Sequence, residues 1–413
     1  MKHSTPFPLV RTYLGRAYRR SRSLLVGYSL SLAGLALTVI GGSAQSILPT
    51  ALGIVITVAG ILVTAITWYR SVKDLHLRRL DDDSTIRPRT LTISKRLGDS
   101  GYEVLTRHGH PSDALLTSRD INKALFSGTQ KPSFIANRES YHAGHTAAVA
   151  QVLLKEFTSR SGTVIFNAKK VRISSEPLLD GNGTLAAVHV QPTRYFDTLM
   201  TNDSLSSALR SESSHSDVFN GHDFCFPNRT IPECSESSCA NQVGASTLAV
   251  TADGYLVITE QGRQSNIAPG QLNSSGSGSA DWRDTQGCTD LQSFVKNFAG
   301  RELAEECGLK PEDIEWLKII GYGRLLYRGG LPQFFCLARL RCDFSSLRVT
   351  RPEQLLTNRH LQVYCGAYPL HGKAVRDAVT KLAKTVGTIS TPLWWNLALL
   401  SQVQEEGLQA KPG

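Results

Sequence analysis

The chain has 413 residues, with 45 Lys and Arg against 35 Asp and Glu, and eight cysteines. Its net charge of +10 points first to a polyanion partner, but residues 1–80 hold 10 basic residues and one acid, Asp74, so the other 333 carry 35 basic against 34 acidic (45 − 10 and 35 − 1). The basicity therefore belongs to the amino-terminal segment, direct DNA or RNA binding by the remainder is not expected, and the scattered cysteines fit a reducing compartment better than a secreted disulfide framework.

No charged residue occurs from Ser23 to Tyr69. Spans of about 20 residues match a hydrocarbon core of roughly 30 Å. Two are predicted, Leu24 to Ile40 and Ala51 to Tyr69, joined by a turn within Gly41 to Thr50. A secretory signal peptide competes with this hairpin, because small residues surround Ala44 behind a basic start. Arg16, Arg19, Arg20 and Arg22 precede the hairpin, and Arg70, Lys73, Arg78 and Arg79 follow it. The positive-inside rule then places both termini in the cytoplasm, with the protein multi-pass in the inner membrane and the lipid bilayer as a partner. Gly27, Gly34 and Gly41, like Gly53 and Gly60, recur every seven residues. Such stripes let helices approach closely and favour a homo-oligomer in the membrane.

Residues 81–240 form a mixed region ahead of the next domain. Asp81 to Asp83 and Arg87-Pro88-Arg89 mark a loop. Ala147 to Phe157 has helical spacing; Thr163 to Ile173 and Leu185 to Val190 read as strands around the Asp180-Gly181-Asn182-Gly183 turn. The serine-rich stretch Ser204 to Ser216 is expected to be exposed. His222, Cys225, Cys234 and Cys239 leave two readings open, a structural zinc site or an irregular segment of reduced thiols.

Residues 241–390 carry the chemistry. Ser246 to Glu260 alternates apolar and polar residues around Asp253-Gly254, a hairpin signal. Further strands are predicted at Ile314 to Tyr322 and Phe334 to Leu340. Between the hairpin and these strands lies Arg301-Glu302-Leu303-Ala304-Glu305-Glu306-Cys307-Gly308-Leu309. On a helix, Glu302, Glu305 and Glu306 share one face at i, i+3 and i+4. Three such carboxylates repel unless a cation offsets them, and Mg2+ or Mn2+ takes oxygen ligands. Gly308 supplies a left-handed cap. Ala374 to Thr385 and Pro392 to Val403 read as helices, the second opening the segment 391–413. Trp394 and Trp395 either cap the core or stack on a base.

This motif resembles the second half of the Nudix box, G-x5-E-x7-R-E-U-x-E-E-x-G-U with U aliphatic. The resemblance implies an α+β fold: a Nudix-like α/β/α sandwich with an N-terminal extension, here preceded by a two-helix transmembrane hairpin. It implies that Glu302, Glu305 and Glu306 hold Mg2+ (or Mn2+) and act in catalysis, with Arg301 locking the helix. Gly287 fits the box glycine, but Ser293 stands at the glutamate that normally braces the arginine. An insertion around Asp281 to Thr289 would place Gly276 and Gly278 at the glycine-rich approach to the site. Tyr195 and Asn202, in a segment similar to one bordering the cleft of larger Nudix-like proteins, complete the candidate ligand contacts. The architecture also resembles the two-span Nudix effectors of antiphage cyclic-oligonucleotide signalling (CBASS), which implies a nucleotide ligand such as a cyclic oligonucleotide and a hairpin that disrupts the membrane. The alternative is a membrane-tethered, Mg2+-dependent hydrolase of nucleoside diphosphate-linked compounds.

Overall fold

The computed structural model describes residues 22–43, 47–80, 90–107, 110–160, 166–261, 270–348, 357–366 and 371–405. The loop expected at Asp81 to Arg89, and Thr163 to Val164 with Ile165 of an expected strand, lie outside them. The chain divides into two compact units.

The first unit gathers residues 1–82, 143–159 and 206–221. Helices α1 (Arg22–Ser43) and α2 (Ile47–Lys73) pack antiparallel. Their contact is set by glycine. A Cβ on Gly34 would lie 2.6 Å from the carbonyl oxygen of Gly53, and one on Gly53 would lie 2.6 Å from that of Gly34. Thr38 and Thr57 turn their hydroxyls back onto the carbonyls of Gly34 and Gly53, each at 2.9 Å, so neither leaves a donor unmet in the contact. Among the described residues one helix, Ile47–Lys73, is long and apolar enough to cross a membrane; α1 contributes a shorter apolar stretch, Ser29–Ile40. The expectation of two equivalent spans is corrected to that extent. The turn expected over Gly41 to Thr50 is also tighter, because the helices run to Ser43 and from Ile47.

Directly after α2 the chain enters a strand, Leu75–Arg79, which pairs antiparallel with Ser207–Ser211, itself paired with Asp217–Asn220. Asp74 is the joint between helix and strand. Its carboxylate accepts from the Ser211 hydroxyl at 2.6 Å and from the Ser213 backbone N–H at 2.8 Å. These bonds hold Asp74 below the usual carboxylate range. The serine-rich stretch is therefore only partly exposed as expected: Ser207 to Leu209 and Ser211 are buried in this small sheet, Ser206 and Arg210 are exposed, and continuous exposure begins at Glu212. Pairing with Leu75–Arg79 gives those residues the cover that their composition does not announce.

The second unit is built on one mixed sheet. Its strands are β1 (Tyr102–Arg107), β2 (His110–Ser118), β3 (Gly244–Val250), β4 (Tyr255–Gln261), β5 (Leu272–Asn273), β6 (Gly276–Ser279), β7 (Ile314–Leu325), β8 (Leu331–Leu340) and β9 (Thr357–Tyr364). The order is β5-β4-β3-β8-β7-β2-β1, with β6 beside β3 and β9 beside β4. The β3–β8 pair is parallel and the rest are antiparallel. The hairpin read at Ser246 to Glu260 is present as β3 and β4, turning at Asp253-Gly254.

The sheet is covered on both faces, which is why its central strands are apolar throughout rather than alternating. In β8, Phe334, Cys336, Ala338 and Leu340 enter one core, while Phe335 and Leu337 enter the other. Helix α3 (Leu291–Cys307) closes the first core through Leu291, Phe294, Val295, Phe298, Ala299 and Leu303, an i, i+3, i+4 stripe. Helices α4 (Gly372–Val386) and α5 (Thr391–Glu405) close the second, through Val375, Val379, Leu393, Trp395 and Leu399. This is a helix–sheet–helix arrangement of three layers. Trp395 is buried, and Trp394 meets it edge-to-face at 4.6 Å with the Arg107 guanidinium 5.4 Å from its ring centre, so the pair closes the core.

Segments 83–142 and 160–205 add a three-stranded sheet to this unit, Phe134–Ala136, Val188–Arg194 and Lys169–Ser175. The two strands expected near it begin later than predicted, at Lys169 and Val188.

Candidate ligand site on the carboxylate helix

Helix α3 starts where Asp290 accepts the Ser293 backbone N–H at 2.9 Å, and it ends at Gly308, whose φ of 64° is the left-handed cap the sequence predicts. Ser293, standing where the box has glutamate, is occupied by the start of the helix: its hydroxyl donates to the Asp290 carbonyl at 2.7 Å. It is in the first turn and engaged with the cap, so it does not brace Arg301.

Asp284 braces it instead. This residue belongs to the short turn Trp282–Thr285, inside the insertion marked by the sequence. Its carboxylate takes a bidentate pair of bonds from Arg301, Nε to Oδ1 at 3.1 Å and Nη2 to Oδ2 at 2.9 Å. Fork-to-fork pairing of this kind fixes the plane as well as the position of the guanidinium. The remaining arginine nitrogen, Nη1, meets Glu302 at 2.9 Å and Glu305 at 3.2 Å. Burial opposes the arginine's charge, but the bond to Asp284 and the charges of Glu302 and Glu305 hold its pKa above the usual range.

Sequence reading did not single out Asp284. The signals available were the Asp281-x2-Asp284 spacing of a turn cap and the requirement that a largely buried arginine be paired. Lys170 was also missed; it donates to Asp281 at 2.7 Å and adds positive charge near Glu302.

The three motif carboxylates have different surroundings. Glu302 is nearly buried, and burial pushes it up to about 7, against the pull of Arg301 and Lys170. Glu306 is buried and accepts the Ser277 backbone N–H at 3.0 Å. Glu305 is about half exposed and paired with Arg301. Among the described residues no three His, Cys, Asp or Glu side chains come together as a metal-binding group. The expected set Glu302, Glu305 and Glu306 shares a helix face without converging. As arranged it does not fit Mg2+ or Mn2+: a cation would have to displace Arg301 from Glu302 and Glu305.

Gly276 and Gly278 lie on β6 against α3. A Cβ on Gly276 would come 2.6 Å from the Cα of Leu303, and one on Gly278 would overlap the Glu302 carboxylate. The glycines therefore let β6 carry Ser277 up to Glu306. Tyr195 and Asn202 are placed elsewhere in this unit. Asn202 is fully buried, accepting the Asn241 N–H at 2.9 Å and donating to the Gly329 carbonyl at 3.0 Å. Those bonds engage both ends of its amide and pin the Gly329-Gly330 turn. Tyr195 is half-buried; burial and the neighbouring Asp203 raise its hydroxyl. The His222/Cys225/Cys234/Cys239 set gathers no zinc site either: Cys225 and Cys239 are adjacent, whereas the Cys234 backbone N–H is held by Glu176 at 2.8 Å.

The Glu302 environment predicts a pH dependence. Its folded pKa of about 7 lies above the ordinary 4.5, so between these values the unfolded chain binds fewer protons than the folded one. Stability is therefore lost as pH rises through this window, by up to about 3 kcal/mol for a shift of this size. Glu302→Gln is expected to flatten the melting-temperature profile between pH 4.5 and 7.5. An unchanged slope in that variant would show the carboxylate to be ionised throughout.

No family model and no curated protein sequence matches the chain. Among solved structures, it is similar to DR0079 from Deinococcus radiodurans, at 14% identity over 38% of this chain and 81% of that one, with a TM-score of 0.27. It is likewise similar to the MutT protein from Methanosarcina mazei Go1, at 11% identity over 40% of this chain and 94% of that one, with a TM-score of 0.25. Likenesses of this size carry no argument about activity.

Proposed function

We propose that this chain is a membrane-anchored effector whose Nudix-like domain binds a nucleotide second messenger, such as a cyclic oligonucleotide, without hydrolysing it. Its membrane helices would then breach the bilayer, as the resemblance to CBASS effectors implies. One observation supports binding over turnover: each motif carboxylate already has an internal partner, Arg301 for Glu302 and Glu305 and the Ser277 N–H for Glu306. An embrace of this kind makes α3 a rigid wall of the site rather than a cation cradle. The membrane role is supported by the apolar surface of α1 and α2, where Leu35, Val39, Val55, Ile61 and Leu62 are more than half exposed. A continuous apolar surface of that extent calls for lipid or another apolar partner.

A second reading has its own support. A carboxyl near pKa 7 is matched to general acid–base work at neutral pH, and Glu302 has that property. It favours the alternative, a membrane-tethered hydrolase of nucleoside diphosphate-linked substrates dependent on Mg2+ or Mn2+.

Full-length protein in dye-loaded liposomes separates the two. Cyclic dinucleotides, cyclic trinucleotides and nucleoside diphosphate sugars are added in turn, in Mg2+ or in EDTA. The effector reading expects a cyclic nucleotide to raise the melting temperature in EDTA, to be recovered intact, and to release dye from wild type but not from Gly34→Leu, whose side chain would push α1 off α2. Metal-dependent turnover lost in Glu302→Gln, with intact liposomes, would instead establish the hydrolase.

A further inference from the structure

Cys225 ends the short helix Gly221–Cys225, and Cys239 lies in the loop that follows the Thr230–Ile231 strand. Their sulfurs are 3.5 Å apart, and both side chains are buried. Neither takes part in the ligand site described above.

The surroundings hold this pair in place. Arg172, itself buried, donates to the carbonyls of Cys234 and Ser237 at 2.9 Å each and of Cys239 at 3.1 Å. The backbone on either side of the Cys239 thiol is fixed as well: its own N–H bonds the Ser237 hydroxyl at 3.2 Å, and the Ala240 N–H bonds the Thr201 hydroxyl at 3.1 Å. Cys225 rests with its sulfur 3.7 Å from the Thr201 carbonyl, against the Gly329 backbone. A disulfide needs its sulfurs at about 2.05 Å. The two sulfurs are therefore about 1.5 Å short of bonding distance.

We propose that Cys225 and Cys239 form an oxidation site, a buried dithiol that peroxide converts to a disulfide, tying the helix Gly221–Cys225 to the Arg172-clamped loop. Cys239 is the attacking thiol. Its contact with Cys225 and the nearby Arg324 and Arg172 favour its thiolate against burial, whereas Cys225 is held as a thiol by that same contact and by burial. The Cys239 thiolate attacks one peroxide oxygen, the O–O bond breaks, and the departing hydroxide takes a proton and leaves as water. The Cys225 sulfur, losing its proton, then attacks the Cys239 sulfenic acid; the S–S bond forms, the S–O bond breaks, and a second water leaves. Two thiols lose two electrons and two protons, and one hydrogen peroxide is reduced to two waters. Cys234 does not compete as attacker, because burial and Glu176 push its thiol up to about 12. In a reducing cytosol such a bond is transient, formed under oxidant and undone by thiol exchange.

The test uses full-length protein in detergent, reduced, exposed to a small excess of hydrogen peroxide, quenched, unfolded in iodoacetamide and digested without reductant. Most of the Cys225 and Cys239 peptides should be recovered joined to each other, and dithiothreitol should separate them. The oxidised protein should melt several degrees higher than the reduced one, since a cross-link constrains the unfolded chain, and Cys239→Ser should show no such rise. The peptide map needs no variant, so it stands even if Cys239→Ser folds poorly. Recovery of both residues as alkylated thiols, with oxidation confined to the half-buried Cys288, Cys342 or Cys365, would overturn the proposal, as would pairing of either cysteine with Cys234.

Discussion

Replacing Asp284 with alanine is expected to lower stability by about 2–3 kcal/mol. The carboxylate is nearly buried and receives both arms of the Arg301 fork. Its loss strands a guanidinium that is itself about four-fifths buried. Removing one member of a buried pair typically costs 3–5 kcal/mol, and the contacts Arg301 keeps with Glu302 and Glu305 reduce that figure. Thermal unfolding of Asp284→Ala, Arg301→Met and the double variant measures the coupling directly. A strongly non-additive cycle is the expected outcome; additive effects would mean that the fork does not brace the helix. Ser293→Glu, which restores the box glutamate in sequence, is not expected to rescue Asp284→Ala, because residue 293 lies in the capped first turn.

Gly276→Ala and Gly278→Ala are expected to separate two roles that look identical in the sequence. At Gly276 the added methyl meets the Leu303 backbone, Cα at 2.6 Å and N at 2.9 Å, so the helix itself must move away from β6. Overpacking against backbone of this kind costs about 1–3 kcal/mol, and the shift also pulls Ser277 from Glu306. At Gly278 the obstacle is the Glu302 carboxylate, the far end of a side chain. That variant should fold with a smaller loss while displacing Glu302, so its pH profile, rather than its melting temperature at neutral pH, carries the change. Equal losses in both variants would refute the distinction.

Local chemistry explains what the sequence could disclose. The motif helix, its Gly308 cap, the Asp253-Gly254 hairpin and the two carboxyl-terminal helices are each specified by residues close together in the chain, and each stands where it was read. The parallel pairing of β3 with β8 joins Gly244 to Gln333, and nothing within either strand announces that partner. The Asp284–Arg301 fork is similarly non-local: the box pattern assigns the brace to position 293, and only folding of the Asp281 to Thr289 insertion over α3 reveals the substitute. Asn202 illustrates the reverse. The resemblance of its segment to one bordering a ligand cleft made it a candidate contact, yet its amide is engaged within the buried core.

The joint at Asp74 has a mechanical consequence. A flexible linker between an apolar helix and the strand that follows it would absorb a displacement before passing it on. Here α2 ends at Lys73, Asp74 is fastened to Ser211 and Ser213, and the strand beginning at Leu75 is hydrogen-bonded to Ser207–Ser211. The coupling leaves little slack, because helix end and strand Ser207–Ser211 are joined through hydrogen bonds rather than through a length of free chain.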